Sequence, residues 1–141
     1  MVNWEPLGKH RYYREADLVF FELQGDVSLT EIQHVFLLHE LVAKEYGYSL
    51  MVFDAHAGGR LGPEARRFVG QRTRQQMDRG ASVVLGANFI LSALVTLLHN
   101  AARLVGRDDS LTHFCATLEE AKPWLAAQRL VLAAKAKQTR G

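Results

Sequence analysis

The stretch that most constrains the fold begins at residue 50 and reads LMVFDAHAGGRLGPEARR. A short, continuous apolar run is typical of a strand that is buried on both faces of a sheet. The glycines after it indicate a turn, and Pro63 is well suited to the first position of a helix. The stretch therefore predicts a strand, a loop and a helix in succession. In open α/β sheets, this kind of corner is where ligands bind.

The rest of the chain predicts alternating strands and helices around this corner. The predicted strands cover residues 4–15, 18–23, 49–54, 81–86 and 111–116. The predicted helices cover residues 29–46, 63–79, 89–106 and 118–132. The order is β-β-α-β-α-β-α-β-α, which predicts an α/β fold with a single mixed, largely parallel five-stranded sheet and about four helices. We expect one domain over residues 1–132 and a polar, frayed tail over residues 133–141.

The ends of several helices carry specific signals. Ser28 and Glu31 have the spacing of a capping box, and Gly47 is a typical C-terminal stop. Gly80 is the expected stop of the second helix. Thr117 is the expected N-cap of the last helix. Apolar and aromatic residues recur at steps of three and four in the first helix, at Ile32, Val35, Phe36, His39, Val42 and Tyr46.

Composition limits the environment and the classes of partner. The chain has 141 residues, enough for a full hydrophobic core, and Cys115 is its only cysteine, which excludes an intramolecular disulfide. The N-terminus has neither a basic nor an apolar region typical of a signal peptide, so we expect a cytoplasmic protein. No nucleic-acid-binding motif is present. The longest apolar run, residues 89–98, is too short to span a bilayer.

The corner holds the candidate functional residues. Asp54 and His56 are two positions apart, so the carboxylate can orient the imidazole, but the sequence has no adjacent nucleophile of the Gly-x-Ser-x-Gly kind. Gly58, Gly59 and Arg60 precede a helix and would cradle an anion with backbone N–H groups, although a flexible turn is the simpler interpretation. We identify these five residues as a candidate switch or interaction loop.

Two helices carry further candidate surfaces. Arg66, Arg67 and Arg74 form a candidate basic surface on the second helix, while Arg72 and Arg79 are expected to face solvent as well. The third helix is apolar in every direction. Its residues are expected to be buried, to line a lipid groove or to form a homodimer contact, and the candidates are Phe89, Leu91, Leu94 and Leu98. The spacing of the histidines gives no metal site, and no cofactor is expected.

The chain resembles the STAS domains of anti-sigma factor antagonists, and more narrowly the bacterial group related to CRAL-TRIO lipid-transfer domains. The resemblance covers roughly residues 9–130. It rests on the strand ending at Asp54, on the helix start PEARR at Pro63, and on the segment FCATLEEAKPWL over residues 114–125. It implies a strand-and-helix sandwich that binds a protein partner and is switched by phosphorylation of a Ser or Thr at the start of the second helix.

This chain departs from that pattern at the switch itself. The corresponding positions, residues 60–63, read RLGP, and no hydroxyl side chain lies between Ser49 and Thr73. Phosphorylation therefore cannot add its charge there. The sequence leads to a non-enzymatic STAS-like signalling or protein-interaction domain, with an unknown protein partner and a homodimeric state. The alternative is a carrier of a small apolar ligand or lipid, and a hydrolase using Asp54 and His56 comes last.

Overall fold

A computed structural model describes residues 2–76, 80–86 and 111–140. The strands are β1 (Glu5–Leu7), β2 (His10–Glu15), β3 (Leu18–Glu22), β4 (Gly25–Val27), β5 (Ser49–Asp54), β6 (Gly58–Leu61), β7 (Gly80–Leu85) and β8 (Leu111–Cys115). The helices are α1 (Leu29–Tyr46), α2 (Pro63–Gln76) and α3 (Leu118–Arg140). The predicted α/β class is confirmed, and the third predicted helix, residues 89–106, lies outside the described residues.

Within the described residues, the main sheet has six strands in the order β1-β2-β3-β5-β7-β8. Strands β1, β2 and β3 are antiparallel neighbours, whereas β3, β5, β7 and β8 are parallel. The predicted count of five strands was wrong in two ways. The first predicted strand is divided into β1 and β2, and β4 and β6 form a separate two-stranded parallel sheet.

Strand β5 lies in the interior of the main sheet, as its apolar run predicts. Leu50 and Val52 have no exposed surface and belong to the core on the side of α3. Met51 is 5% exposed and belongs, with the partly buried Phe53, to the core on the side of α1 and α2. Alternate side chains therefore enter two different cores, which explains why no polar residue interrupts the run.

Helix α1 begins and ends where its capping signals predict. The Ser28 hydroxyl accepts a hydrogen bond from the Glu31 N–H at 3.2 Å, and the Glu31 carboxylate accepts one from the Ser28 N–H at 2.9 Å. Gly47 ends the helix with a φ of 88°, a left-handed conformation that favours glycine. The predicted inward face is buried except for Tyr46, which is partly buried.

Helix α2 differs from its prediction at two residues. Gly80 is not a helix stop, because it is the first residue of β7. Arg72 is not a free surface cation, because it forms an ion pair with Glu40 of α1. Its guanidinium also lies 5.8 Å from the centroid of Phe36 and 5.7 Å from that of Phe68. Arg72 therefore joins α2 to α1 rather than serving the basic surface.

Helix α3 is longer than the sequence predicts. The Thr117 hydroxyl accepts a hydrogen bond from the Glu120 N–H at 3.3 Å, as expected of its N-cap. We expected a frayed tail from Ala133, whereas α3 continues to Arg140. Leu132 is 2% exposed, and Ala133 and Ala136 pack against the same core. Burial of this last apolar stripe is the physical reason for the extension.

Candidate functional site

The predicted corner lies at the carboxyl edge of the parallel strands. Glu22, Asp54 and Leu85 are aligned across β3, β5 and β7. Backbone hydrogen bonds continue past the strand ends, from Leu23 N–H to Asp54 C=O at 3.0 Å and from Ala55 N–H to Leu85 C=O at 2.9 Å. The loop that follows β5 therefore leaves the sheet from a fixed position.

Asp54 and His56 contact each other directly. The Asp54 Oδ1 accepts hydrogen bonds from the His56 N–H at 3.1 Å and from His56 Nδ1 at 2.6 Å. Since a carboxylate only accepts, Nδ1 is the donor in this contact. The His56 ring lies against Gly86, where an added Cβ would approach the ring to 2.3 Å. The His56 side chain is 57% exposed, so this pair is held in place yet open to solvent.

The Asp54–His56 pair has the geometry of an acid–base pair, but Cys115, the single cysteine of the sequence, is poorly suited to serve as its nucleophile. Burial raises the pKa of the Cys115 thiol, and the nearby Glu120 raises it further. Because the thiolate is the nucleophilic form, a raised pKa lowers its fraction at neutral pH. The Cys115 Sγ also lies 3.5 Å from the Thr117 carbonyl oxygen as a hydrogen-bond donor. The arrangement therefore favours a structural role for Cys115.

Gly58, Gly59 and Arg60 form strand β6, so the interpretation of this segment as a flexible turn was wrong. Strand β6 pairs with β4, and the Arg60 N–H donates to Asp26 Oδ1 at 2.8 Å. An added Cβ at Gly59 would lie 2.1 Å from that Asp26 oxygen and 2.9 Å from its backbone nitrogen. The segment has no recognisable strand pattern because glycine is disfavoured in strands.

Three backbone N–H groups in and next to this segment already have protein acceptors. Gly58 donates to Ala55 C=O at 3.0 Å, Gly62 donates to Val27 C=O at 3.3 Å, and Arg60 donates to Asp26. An anion cradle needs such groups to point toward a ligand. These three amides therefore do not support the anion-binding alternative.

The remaining candidate residues follow this loop in the sequence. Arg66 and Arg67 are exposed at the start of α2, and Arg74 lies near the end of the same helix. Phe89, Leu91, Leu94 and Leu98 lie outside the described residues. In the part of the chain that the structure describes, no three potential ligands are grouped to hold a metal ion.

The structure contains an apolar cavity that the sequence did not reveal. Its volume is about 150 Å³, and it lies between one face of the main sheet, α1, α2 and the small β4·β6 sheet. The described residues that line it are Leu7, Leu23, Val27, Ile32, Val35, Phe36, Met51, Phe53, Gly59, Arg60, Leu61, Val69, Ser82 and Val84. Strand alternation predicts that residues 51, 53, 82 and 84 share one face, but not that space remains above them.

No family model matches the sequence, and no curated protein matches it either. Among solved structures, the chain is similar to the anti-sigma factor antagonist SpoIIAA in its unphosphorylated form. Identity is 12% and the TM-score is 0.51, over 89% of this chain and 98% of that one. An uncharacterised protein from Shewanella loihica PV-4 with a SpoIIAA-like fold is 14% identical with a TM-score of 0.45, over 89% and 92% of the two chains. The chain therefore has the STAS-like fold of SpoIIAA.

Proposed function

We propose that this chain is a non-enzymatic STAS-like interaction domain whose protein partner binds at the carboxyl edge of the main sheet. The observation that carries the proposal is the ordered but exposed loop of Asp54, His56 and Arg60. Asp54 orients the imidazole, and pairing of β6 with β4 fixes the backbone that carries Arg60. A surface that is already ordered loses little conformational entropy when a partner binds.

The likeness to SpoIIAA supports this proposal through the fold. No Ser, Thr or Tyr is present over residues 50–72, so a partner at this loop would not be released by phosphorylation of the loop. Arg66 and Arg67, exposed at the start of α2, extend the positive charge of Arg60 along the sequence. An acidic partner surface would complement this charge.

The experiment is affinity capture with paired surface variants. The wild-type protein should recover a defined partner from lysate of its host, and the double variant His56→Ala, Arg60→Ala should lose it. Lys122→Ala, an exposed change on α3, should capture as much partner as the wild type. Equal recovery by all three proteins, or repeated recovery of nothing, would contradict the proposal.

A second candidate function is transport of a small apolar ligand or lipid. The apolar cavity of about 150 Å³ is the observation in its favour. Native mass spectrometry of the purified protein separates the two candidates. A co-purifying lipid that occupies most of the protein would favour the carrier, and a protein free of lipid would favour the interaction domain.

Homodimerisation and a cytoplasmic location stay predictions. The proposed dimer contact is the apolar segment with Phe89, Leu91, Leu94 and Leu98, and Leu94→Glu should yield monomers in light scattering if it is correct. Within the described residues, none of the helices carries an apolar stretch long enough to cross a bilayer.

A further inference from the structure

The walls of the apolar cavity are built from the side of the sheet that faces α1 and α2. Met51 and Phe53 of β5 and Ser82 and Val84 of β7 supply the floor, because alternate residues of a strand face the same side. Ile32, Val35 and Phe36 of α1 and Val69 of α2 supply the opposite wall. Core side chains thus form most of the cavity wall, and the exposed Arg60 also lines it.

The size of the cavity limits its occupant. A cavity of about 150 Å³ lined by Leu, Ile and Phe is known to stay dry and to bind benzene or xenon. The present cavity has the same volume, about 150 Å³, and a similar lining. A long acyl chain has many more carbon atoms than benzene and cannot be enclosed within this volume. We propose that the cavity binds a neutral one-ring apolar molecule, and not a lipid.

The lining residues determine the charge of the ligand and the contacts that its ring can make. Among the described lining residues, Ser82 is the single polar side chain that is buried, with 8% exposure, and Arg60 is exposed. A charged ligand would lose its hydration without a buried ion to replace it, so the ligand is neutral. Phe36 and Phe53 belong to opposite walls and offer ring contacts.

The cavity also lies directly beneath the interaction loop. Gly59, Arg60 and Leu61 of β6 line it, together with Val27 of β4. A bound ring contacts this small sheet from below and opposes its separation from the core. The ligand is therefore placed to act on the loop that replaces the phosphorylated switch. This regulatory step rests on the proposed function, whereas ligand binding does not.

The test is titration of the full chain with benzene and with indole, followed by ¹H–¹⁵N NMR and calorimetry. The expected result is saturable binding, with shifts at cavity residues and slower amide exchange at Arg60 and Gly62, whose N–H groups hold β6 to β4. The absence of saturable shifts with both probes would overturn the proposal. Saturable binding of palmitate would overturn the size limit.

A filling variant separates specific binding from general hydrophobic adsorption. Val69→Phe should occupy the cavity and abolish benzene binding, while Val131→Phe, an exposed change on α3, should leave it unchanged. If Val69→Phe does not fold, the proposal is tested on the wild type alone. Its palmitate titration tests the size limit, and its amide exchange rates test binding inside the cavity. If the wild-type protein binds benzene but captures no partner, the interaction function alone is refuted.

Discussion

Arg129 of α3 binds Asp17 across a separation of 112 positions in the sequence. Its guanidinium donates from Nε to Asp17 Oδ2 at 2.7 Å and from Nη2 to Oδ1 at 2.9 Å. The Tyr48 hydroxyl donates to the same Oδ2 at 2.6 Å. Asp17 is 5% exposed, so one buried carboxylate joins the turn before β3, the start of β5 and the last helix.

Removing the arginine should destabilise the fold. Arg129→Met removes two hydrogen bonds from the buried Asp17 carboxylate and leaves it the Tyr48 hydroxyl as a side-chain donor. Hydrogen bonds to charged groups contribute about 2 kcal/mol each, but the Arg129 side chain is 45% exposed, so solvent screening reduces the total. We expect the free energy of unfolding to fall by about 2 kcal/mol in urea titrations followed by circular dichroism. The control is Lys122→Met, which removes an exposed i,i+3 pair with Glu119 and should cost less than about 0.5 kcal/mol. Equal losses in both variants would contradict this role of Arg129.

Asp17 should also contribute to instability in acid. Burial raises its pKa, but the hydrogen bonds from Arg129 and Tyr48 outweigh burial and leave the pKa below its usual value. The unfolded carboxyl has a pKa of about 3.9, so its contribution is complete above that pH and is lost as pH falls through the lowered folded pKa. Unfolding measured between pH 6 and pH 2 should show the stability difference between wild type and Asp17→Asn shrinking as pH falls. A pH-independent difference would contradict the assignment.

Tyr48 should contribute to a loss of stability at alkaline pH, whereas Asp17 contributes to one at acidic pH. Burial and the hydrogen bond to Asp17 raise the pKa of Tyr48 to about 12. The unfolded phenol titrates near pH 10, so the stabilising contribution is present below that pH and is lost as pH rises toward 12. Tyr48→Phe should lack this component of the alkaline decline. Ultraviolet titration of the phenolate measures the pKa of Tyr48 directly. A pKa near 10 would refute the expected shift.

The contact between Gly59 and Asp26 gives a test of the β4·β6 sheet. Gly59→Ala places a Cβ 2.1 Å from Asp26 Oδ1, so β6 must move away from β4 and the melting temperature should fall by several degrees. Gly62→Ala is the matched control, since an added Cβ there meets nothing within 4 Å. We expect it to be neutral in differential scanning calorimetry. Similar melting temperatures for the two variants would show that the small sheet is not formed as described.

The parts of the fold that sequence reasoning predicted are those governed by local signals. The capping box at Ser28 and the apolar run of β5 depend on residues that are close in the chain. The β4·β6 sheet was missed because its register depends on the approach of Gly59 to Asp26, a distant partner in a segment with little strand propensity. The Asp17–Arg129 pair and the cavity depend on tertiary packing, which no local pattern encodes.

The most direct test of the central claim is site-specific photocrosslinking. A photoreactive amino acid replaces Arg60 in one protein and Leu130, which is 74% exposed on α3, in another. Both are incubated with host lysate and irradiated. If the proposed binding surface is correct, the protein with the photoreactive residue at position 60 crosslinks to a defined partner. The protein with that residue at position 130 crosslinks to none. The same partner from position 130, with nothing from position 60, would contradict a binding surface at the carboxyl edge of the sheet.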